Sequence, residues 1–190
     1  MTYYLIGCII TPNFIRIYER HMKTIIRLIF LLTLCVSSFA AEEGDHSLFD
    51  QHFNDYSENL DDAIDAKKKG LFVFFHLEEC PFCAKMRQNV LTQKPVIDYF
   101  KKHFLNFEVD VESDVELTNF DGNTMKEKIF AQRHNLVGAT PVLAFFDLNG
   151  KRVVRHTGFA NQKDFLLLAN YFVDQSYKKE PFIRYKRKHK

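Results

Sequence analysis

Leu71-Phe72-Val73-Phe74-Phe75-His76-Leu77-Glu78-Glu79-Cys80-Pro81-Phe82-Cys83-Ala84-Lys85-Met86-Arg87-Gln88-Asn89-Val90-Leu91 decides the fold. Its first five residues are uninterrupted apolar, as in a strand buried on both faces. His76 to Glu79 reads as a short loop, and Pro81 suits the first position of a helix. The two cysteines therefore fall on the first turn of that helix. A helix start carries unpaired N–H groups and partial positive charge, which favour a thiolate. Cys80 is then the nucleophile and the more exposed sulfur. Cys83, three residues further on, can reach back to close a Cys80–Cys83 disulfide, with Pro81 and Phe82 between them tuning the reduced state. Half a zinc site and an inert structural disulfide are the alternatives. Zinc would need two more ligands, and no second cysteine pair follows, so no metal and no cofactor is expected.

The other cysteines, Cys8 and Cys35, both precede residue 41. Met22-Lys23-Thr24-Ile25-Ile26-Arg27 reads as a basic start and Leu28 to Val36 as an apolar run. Ser38 and Ala40 are small residues at the −3 and −1 positions of a cut before Ala41. Residues 22–40 are thus expected to be a signal peptide cleaved near Ala40, leaving Cys80 and Cys83 as the only thiols of a periplasmic or otherwise secreted protein. For an uncleaved anchor the run is short, and for a lipoprotein at Cys35 the preceding Leu34 is too bulky. Residues 1–21 read as an upstream extension from a misassigned start. The chain of 190 residues has 46% hydrophobic residues and 20 phenylalanines, enough for one domain with a real core. A formal net charge of +2 gives no case for nucleic acid.

Residues 41–56 read as a loose arm. Ser57 is expected to cap a helix through about Lys69, ended by Gly70. The helix from Pro81 is expected to reach Thr92, break near Pro95 and resume through Phe100 or Lys102. His103–Val111 reads as a strand and Ser113–Asn123 as a polar insertion turning at Asp121-Gly122. Thr124 to Glu127 has the form of a capping box opening a helix to His134. Leu136 to Pro141 is a loop. Val142–Phe146 and Lys151–His156 read as a hairpin about Asp147-Leu148-Asn149-Gly150. Gly158 breaks the second strand, and Asn161 caps a helix over Gln162–Ser176. Residues 178–190 form a basic tail, expected to be solvated and disordered, with contact of Arg184–Lys190 to anionic lipid or an acidic partner as the alternative. The first three strands are joined through helices, which suggests that they pair in parallel, while the last two are antiparallel. The fold class is α/β: a central mixed sheet flanked by helices on both faces.

With these elements in place, the region from Asp50 to Tyr177 resembles the thioredoxin superfamily. The resemblance rests on Cys80-Pro81-Phe82-Cys83 after a hydrophobic strand, Thr140-Pro141 directly before the next buried strand, and Asn149-Gly150 followed by Gly158. Asp121-Gly122, the helix expected from Thr124, Val137-Gly138-Ala139-Thr140-Pro141, Phe146-Asp147-Leu148-Asn149-Gly150 and Thr157-Gly158-Phe159 are most similar to the secreted, SoxW-like group. The resemblance implies a thioredoxin-like domain over 57–177, a cis bond before Pro141, and a Thr140 backbone that pairs with extended substrate. It also implies a buried acid six residues before the first cysteine, but that position is Phe74; His76, Glu78 and Glu79 are the candidates to move the proton instead. Pro81-Phe82 resembles secreted oxidases and isomerases more than cytosolic thioredoxins.

The expected function is a secreted thiol–disulfide oxidoreductase, a monomer that reduces protein disulfides and is recharged by a membrane donor of the DsbD/CcdA type. An oxidase or isomerase using the same dithiol is the second reading, though residues 42–56 are too few for the dimerisation domain of such isomerases. A non-catalytic binding or chaperone module is the third.

Overall fold

The computed structural model describes residues 22–23, 47–51, 53–134 and 139–189. The expected extension 1–21, all but the first two residues of the expected leader, and 135–138 of the loop before Thr140 lie outside the described residues. Residues 45–190 form one compact unit.

A four-stranded sheet runs in the order β2-β1-β5-β6. Its strands are β1 (Gly70–His76), β2 (Phe104–Asp110), β5 (Val142–Phe146) and β6 (Arg152–Thr157). β1 is central, and Leu71 to Phe75 are all fully buried. Alternation divides them between two cores. Phe72 and Phe74 face α2 (Pro81–Met86), α3 (Lys94–His103) and α5 (Gln162–Val173); Leu71, Val73 and Phe75 face α1 (Tyr56–Asp65) and α4 (Glu127–Arg133). Both faces are covered, so the strand shows no polar alternation. Phenylalanine fills much of this space: the Phe100 and Phe165 rings stack at 4.3 Å, and Phe72 meets Phe100 edge-on at 5.0 Å.

The mixed α/β class is as expected, but one strand direction is not. β1 and β2 are parallel, while β5 is antiparallel to β1, with Val142 opposite Phe75 and Phe146 opposite Leu71. A helical connection restores parallel direction only if it carries the chain back along the sheet. α4 has seven residues, a length of about 10 Å, whereas β1 spans about 23 Å. The chain therefore re-enters the sheet at the end where it left β2.

Several local expectations are corrected. Asp55, not Ser57, caps α1: its carboxylate accepts the Ser57 and Glu58 N–H groups at 2.9 and 3.1 Å. Gly70 does not end that helix. Lys67, at φ 56°, takes the left-handed position, and the Lys68 N–H reaches the Ala63 carbonyl at 2.8 Å. Gly70 instead opens β1, where a Cβ would lie 2.2 Å from the Phe146 carbonyl oxygen. The capping box at Thr124 does not form. Thr124–Lys126 is strand β4, paired with β3 (Glu116–Thr118) around the turn at Gly122. The Asn119 side chain fixes that turn by accepting the Asp121 and Asn123 N–H groups, and α4 starts only at Glu127.

The helix after Pro81 changes to a π-helical turn over Arg87–Leu91 before α3 begins at Lys94. Asn161 caps α5 as expected, accepting the Asp164 N–H at 2.9 Å, but α5 ends at Val173. Of the arm, Leu48 is buried, and Asp50 binds the β2 edge through Asn106, N–H to carbonyl at 2.8 Å and carboxylate to N–H at 2.8 Å. Within 178–190, the expected solvated end is instead helix α6 (Phe182–Lys188), whose Tyr185 is buried against α5.

Candidate functional site: the Cys80–Cys83 dithiol

β1 ends at His76, and the turn at Leu77 to Glu79 closes with the Cys80 N–H donating to the Leu77 carbonyl at 3.2 Å. Cys80 is the N-cap of α2, with Pro81 at the first helical position. Its sulfur accepts the Cys83 N–H at 3.2 Å, so it satisfies one of the donors that a helix start leaves unpaired. Both thiols are free. Cys80 is 7% exposed and Cys83 1% exposed, so an incoming disulfide meets Cys80 first. Phe82, between them, is 57% exposed and forms an apolar rim.

Thr140 and Pro141 lie beside the sulfurs because β5 runs antiparallel to β1. Val142 opposes Phe75, so the residues just before β5 flank those just after β1. The Thr140–Pro141 bond is cis. The Cys80 thiol donates to the Thr140 carbonyl oxygen at 3.5 Å. The Gly158 N–H donates to the Pro141 carbonyl at 2.8 Å, and the Ala160 N–H to Met86 Sδ at 3.4 Å. The loop after β6 is thereby tied to both Pro141 and α2. On it, Phe159 lies under the Lys85 ammonium at 4.6 Å.

The two sulfurs titrate apart. Burial pushes the Cys80 thiol up, but hydrogen bonds from the Cys83 and Thr140 side chains and from the Cys83 and Phe82 backbone outweigh it and hold it below the ordinary value of 9.0. Burial, then the hydrogen bond with Cys80, pushes Cys83 up to about 11. The arrangement gives one sulfur ready to ionise and one that keeps its proton.

Phe74, in the position of the expected acid, is fully buried and stacks on Phe49 at 6.0 Å and on His76 at 5.8 Å. His76 Nε2 lies 3.9 Å from a Glu108 carboxylate oxygen. Burial and the Arg87 charge push the His76 pKa down, against Glu108, Asp110 and Glu78. Glu78 and Glu79 are exposed on the turn before Cys80. The sequence reading missed two members of this group: Glu108, which pairs with Arg87, and Arg87 itself, whose guanidinium lies 5.3 Å from the Phe74 ring centre. Glu108 was detectable as a carboxylate between the apolar Phe107 and Val109 of β2. Among the described residues no group of three or more His, Cys, Asp or Glu side chains is placed to hold a metal ion.

A central four-stranded sheet, helices on both faces, a cysteine pair at a helix start and a facing cis-proline define a protein of the thioredoxin-fold class. The family model of the thioredoxin-like domain matches residues 56–172, and the chain belongs to that family, whose members are typically thiol–disulfide oxidoreductases.

Comparison with curated proteins finds no match. Among solved structures the chain is similar to a thioredoxin-fold protein from Helicobacter pylori, at 21% identity and TM-score 0.54 over 65% of this chain and 88% of that one. It is also similar to a thioredoxin from Thermus thermophilus, at 26% identity and TM-score 0.51 over 66% of this chain and 89% of that one. A putative disulphide-isomerase from Bacteroides thetaiotaomicron is 24% identical, with TM-score 0.50 over 68% of this chain and 95% of that one.

Proposed function

We propose that this protein is an exported thiol–disulfide oxidoreductase that reduces disulfides in other exported proteins through Cys80 and Cys83. The observation that carries the reading is the Cys80 sulfur, capped by the Cys83 N–H at 3.2 Å and held below the ordinary thiol pKa while Cys83 is held above it. The Cys80 thiolate attacks one sulfur of a substrate disulfide. That S–S bond breaks, and the other substrate sulfur leaves as a thiolate and takes a proton. Cys83 then loses its proton and attacks Cys80 Sγ, which breaks the mixed disulfide. The products are a substrate dithiol and a Cys80–Cys83 disulfide, two electrons having passed to the substrate. Thr140 and Pro141 present a backbone edge beside Cys80 for an extended substrate segment. His76 is the best placed of the proton-transfer candidates, because it joins the Glu108–Arg87 group while Glu78 and Glu79 face solvent.

The leader-like segment 22–40 supports export to a periplasm, and an oxidising compartment demands a membrane donor of the DsbD/CcdA type to re-reduce the dithiol. The SoxW-like motifs support upkeep of thiols in such a compartment by a monomeric protein. A disulfide oxidase or isomerase is the second reading. It is favoured by the Pro81-Phe82 pair and by the lowered Cys80 pKa, since stabilising the thiolate stabilises the reduced form.

Insulin reduction by the wild type and by Cys80→Ser tests the catalytic reading: activity in the wild type and its loss in the variant are expected, and equal rates would reject it in favour of a non-catalytic module. Equilibration with a glutathione buffer decides direction, a strongly oxidising potential overturning the reductase assignment.

A further inference from the structure

Charge is segregated along this chain. Residues 47–177 hold 15 Lys and Arg against 19 Asp and Glu, whereas residues 178–190 hold seven Lys and Arg against one acid, Glu180. The basic end is not a loose tail. The Tyr185 hydroxyl donates to Asp174 at 2.7 Å, Lys186 pairs with Asp164 at 2.7 Å, and the Tyr171 hydroxyl donates to the Glu180 carbonyl. One face of α6 is therefore fixed to α5, and the other is fixed outward.

That outward face bears Arg184, Arg187, Lys188 and Ile183, all exposed, with Lys178 and Lys179 just before it. Lys188 is paired with Glu180 at 2.8 Å. Arg184, Arg187 and Lys188 stand three and four residues apart, a spacing at which like charges destabilise a helix. The helix dipole compensates cations in the last turn, which covers Arg187 and Lys188. It does not cover Arg184, Lys178 or Lys179, nor does it explain Ile183 standing 61% exposed among them.

We propose that the outward face of α6 is a docking surface for an anionic lipid bilayer. Cations surrounding an aliphatic side chain match the interface of a bilayer, where headgroup phosphates meet the charges and the acyl boundary takes the isoleucine. A polyanion would engage the arginines but offers nothing to Ile183. The excess of acid in 47–177 sets up a molecular dipole whose basic end turns toward a negative plane. This inference is independent of the redox reading.

The test uses residues 45–190, a compact unit that contains both cores, so that the apolar segment 28–36 contributes no binding. Sedimentation is measured with vesicles of phosphatidylcholine alone and with 30 mol% phosphatidylglycerol. Binding to the anionic vesicles only, weakening as salt rises, is expected. Removing one basic residue near such a surface lowers partitioning about fivefold, so Arg184→Gln with Arg187→Gln should cost about 25-fold. Ile183→Ser should weaken binding without changing its salt dependence. Equal binding to both vesicle types, or no change in the double variant, overturns the proposal. So does binding to heparin or DNA as tight as to vesicles together with an inert Ile183→Ser, which would assign the face to a polyanion. Circular dichroism and insulin reduction, both expected to be unchanged, verify that the variants are folded.

Discussion

The Cys80 sulfur lies 3.5 Å from the Thr140 carbonyl oxygen, across 60 residues of sequence. The contact joins the start of α2 to the start of β5, and it places the Cys80 sulfur beside the backbone that leads into β5.

The separation of the two thiols is measurable by alkylation. The rate of Cys80 modification by iodoacetamide should rise with a midpoint below 9.0, while Cys83 in a Cys80→Ser background, where burial still pushes it up, should react with a midpoint above 9.0. The raised Cys83 pKa has a consequence for the reduced protein. A group whose folded pKa lies above its unfolded value stabilises the fold below the unfolded value, and that contribution is lost as pH rises. Urea midpoints should therefore fall between pH 9 and 11, and Cys83→Ala should flatten that decline. Cys80 has the opposite sign: its contribution is present above 9.0 and is lost as pH falls through its lowered value. Two coincident alkylation midpoints would contradict the site geometry.

Phe74 should matter to stability and not to proton traffic. It is fully buried between Phe49, His76 and the Arg87 guanidinium. Phe74→Ala should cost about 3–5 kcal/mol in urea unfolding, and Phe74→Leu under about 1.5 kcal/mol. The pH profile of Cys80 alkylation should be the same in Phe74→Leu as in the wild type. A displaced profile would show that the ring sets the thiol chemistry.

His134 should govern part of the acid limb. Burial holds its pKa down to about 4, with the nearby Arg152 and Arg133 charges adding to the effect. Its ring lies 4.5 Å from Phe130 and 4.9 Å from Phe146. The unfolded chain takes up this proton near pH 6.5, so the stability due to His134 is present above 6.5 and is lost as pH falls toward 4. His134→Phe keeps a ring there and should flatten the stability profile over that interval. An unchanged profile would show that His134 is already charged in the folded protein.

Much of the site was legible because its chemistry is local. An apolar run, a short loop, Cys80, Pro81 and Cys83 suffice to put two sulfurs on a helix start, since capping and the Pro81 backbone are decided within a few residues. The errors arose where local signals compete with distant partners. Ser57 has the composition of a cap, but Asp55 accepts the two N–H groups first. Thr124 to Glu127 has the spacing of a capping box, but strand β3 takes the backbone of Thr124–Lys126. Glu108 and Arg87 lie 21 residues apart and meet only because β2 lies beside β1 beneath α2.

The sequence by itself determined the α/β class, the dithiol and its order of exposure, because continuous burial of Leu71–Phe75 and a helix start at the two cysteines follow from short-range pattern. Only the tertiary structure decided the direction of β5. Parallel pairing, as the helical connection suggested, would have put Thr140 and Pro141 at the Gly70 end of the sheet, about 20 Å from the sulfurs. The short α4 returns the chain to the end it had left, and Val142 settles opposite Phe75. The facing edge of the site exists for that reason, and no residue near Cys80 specifies it.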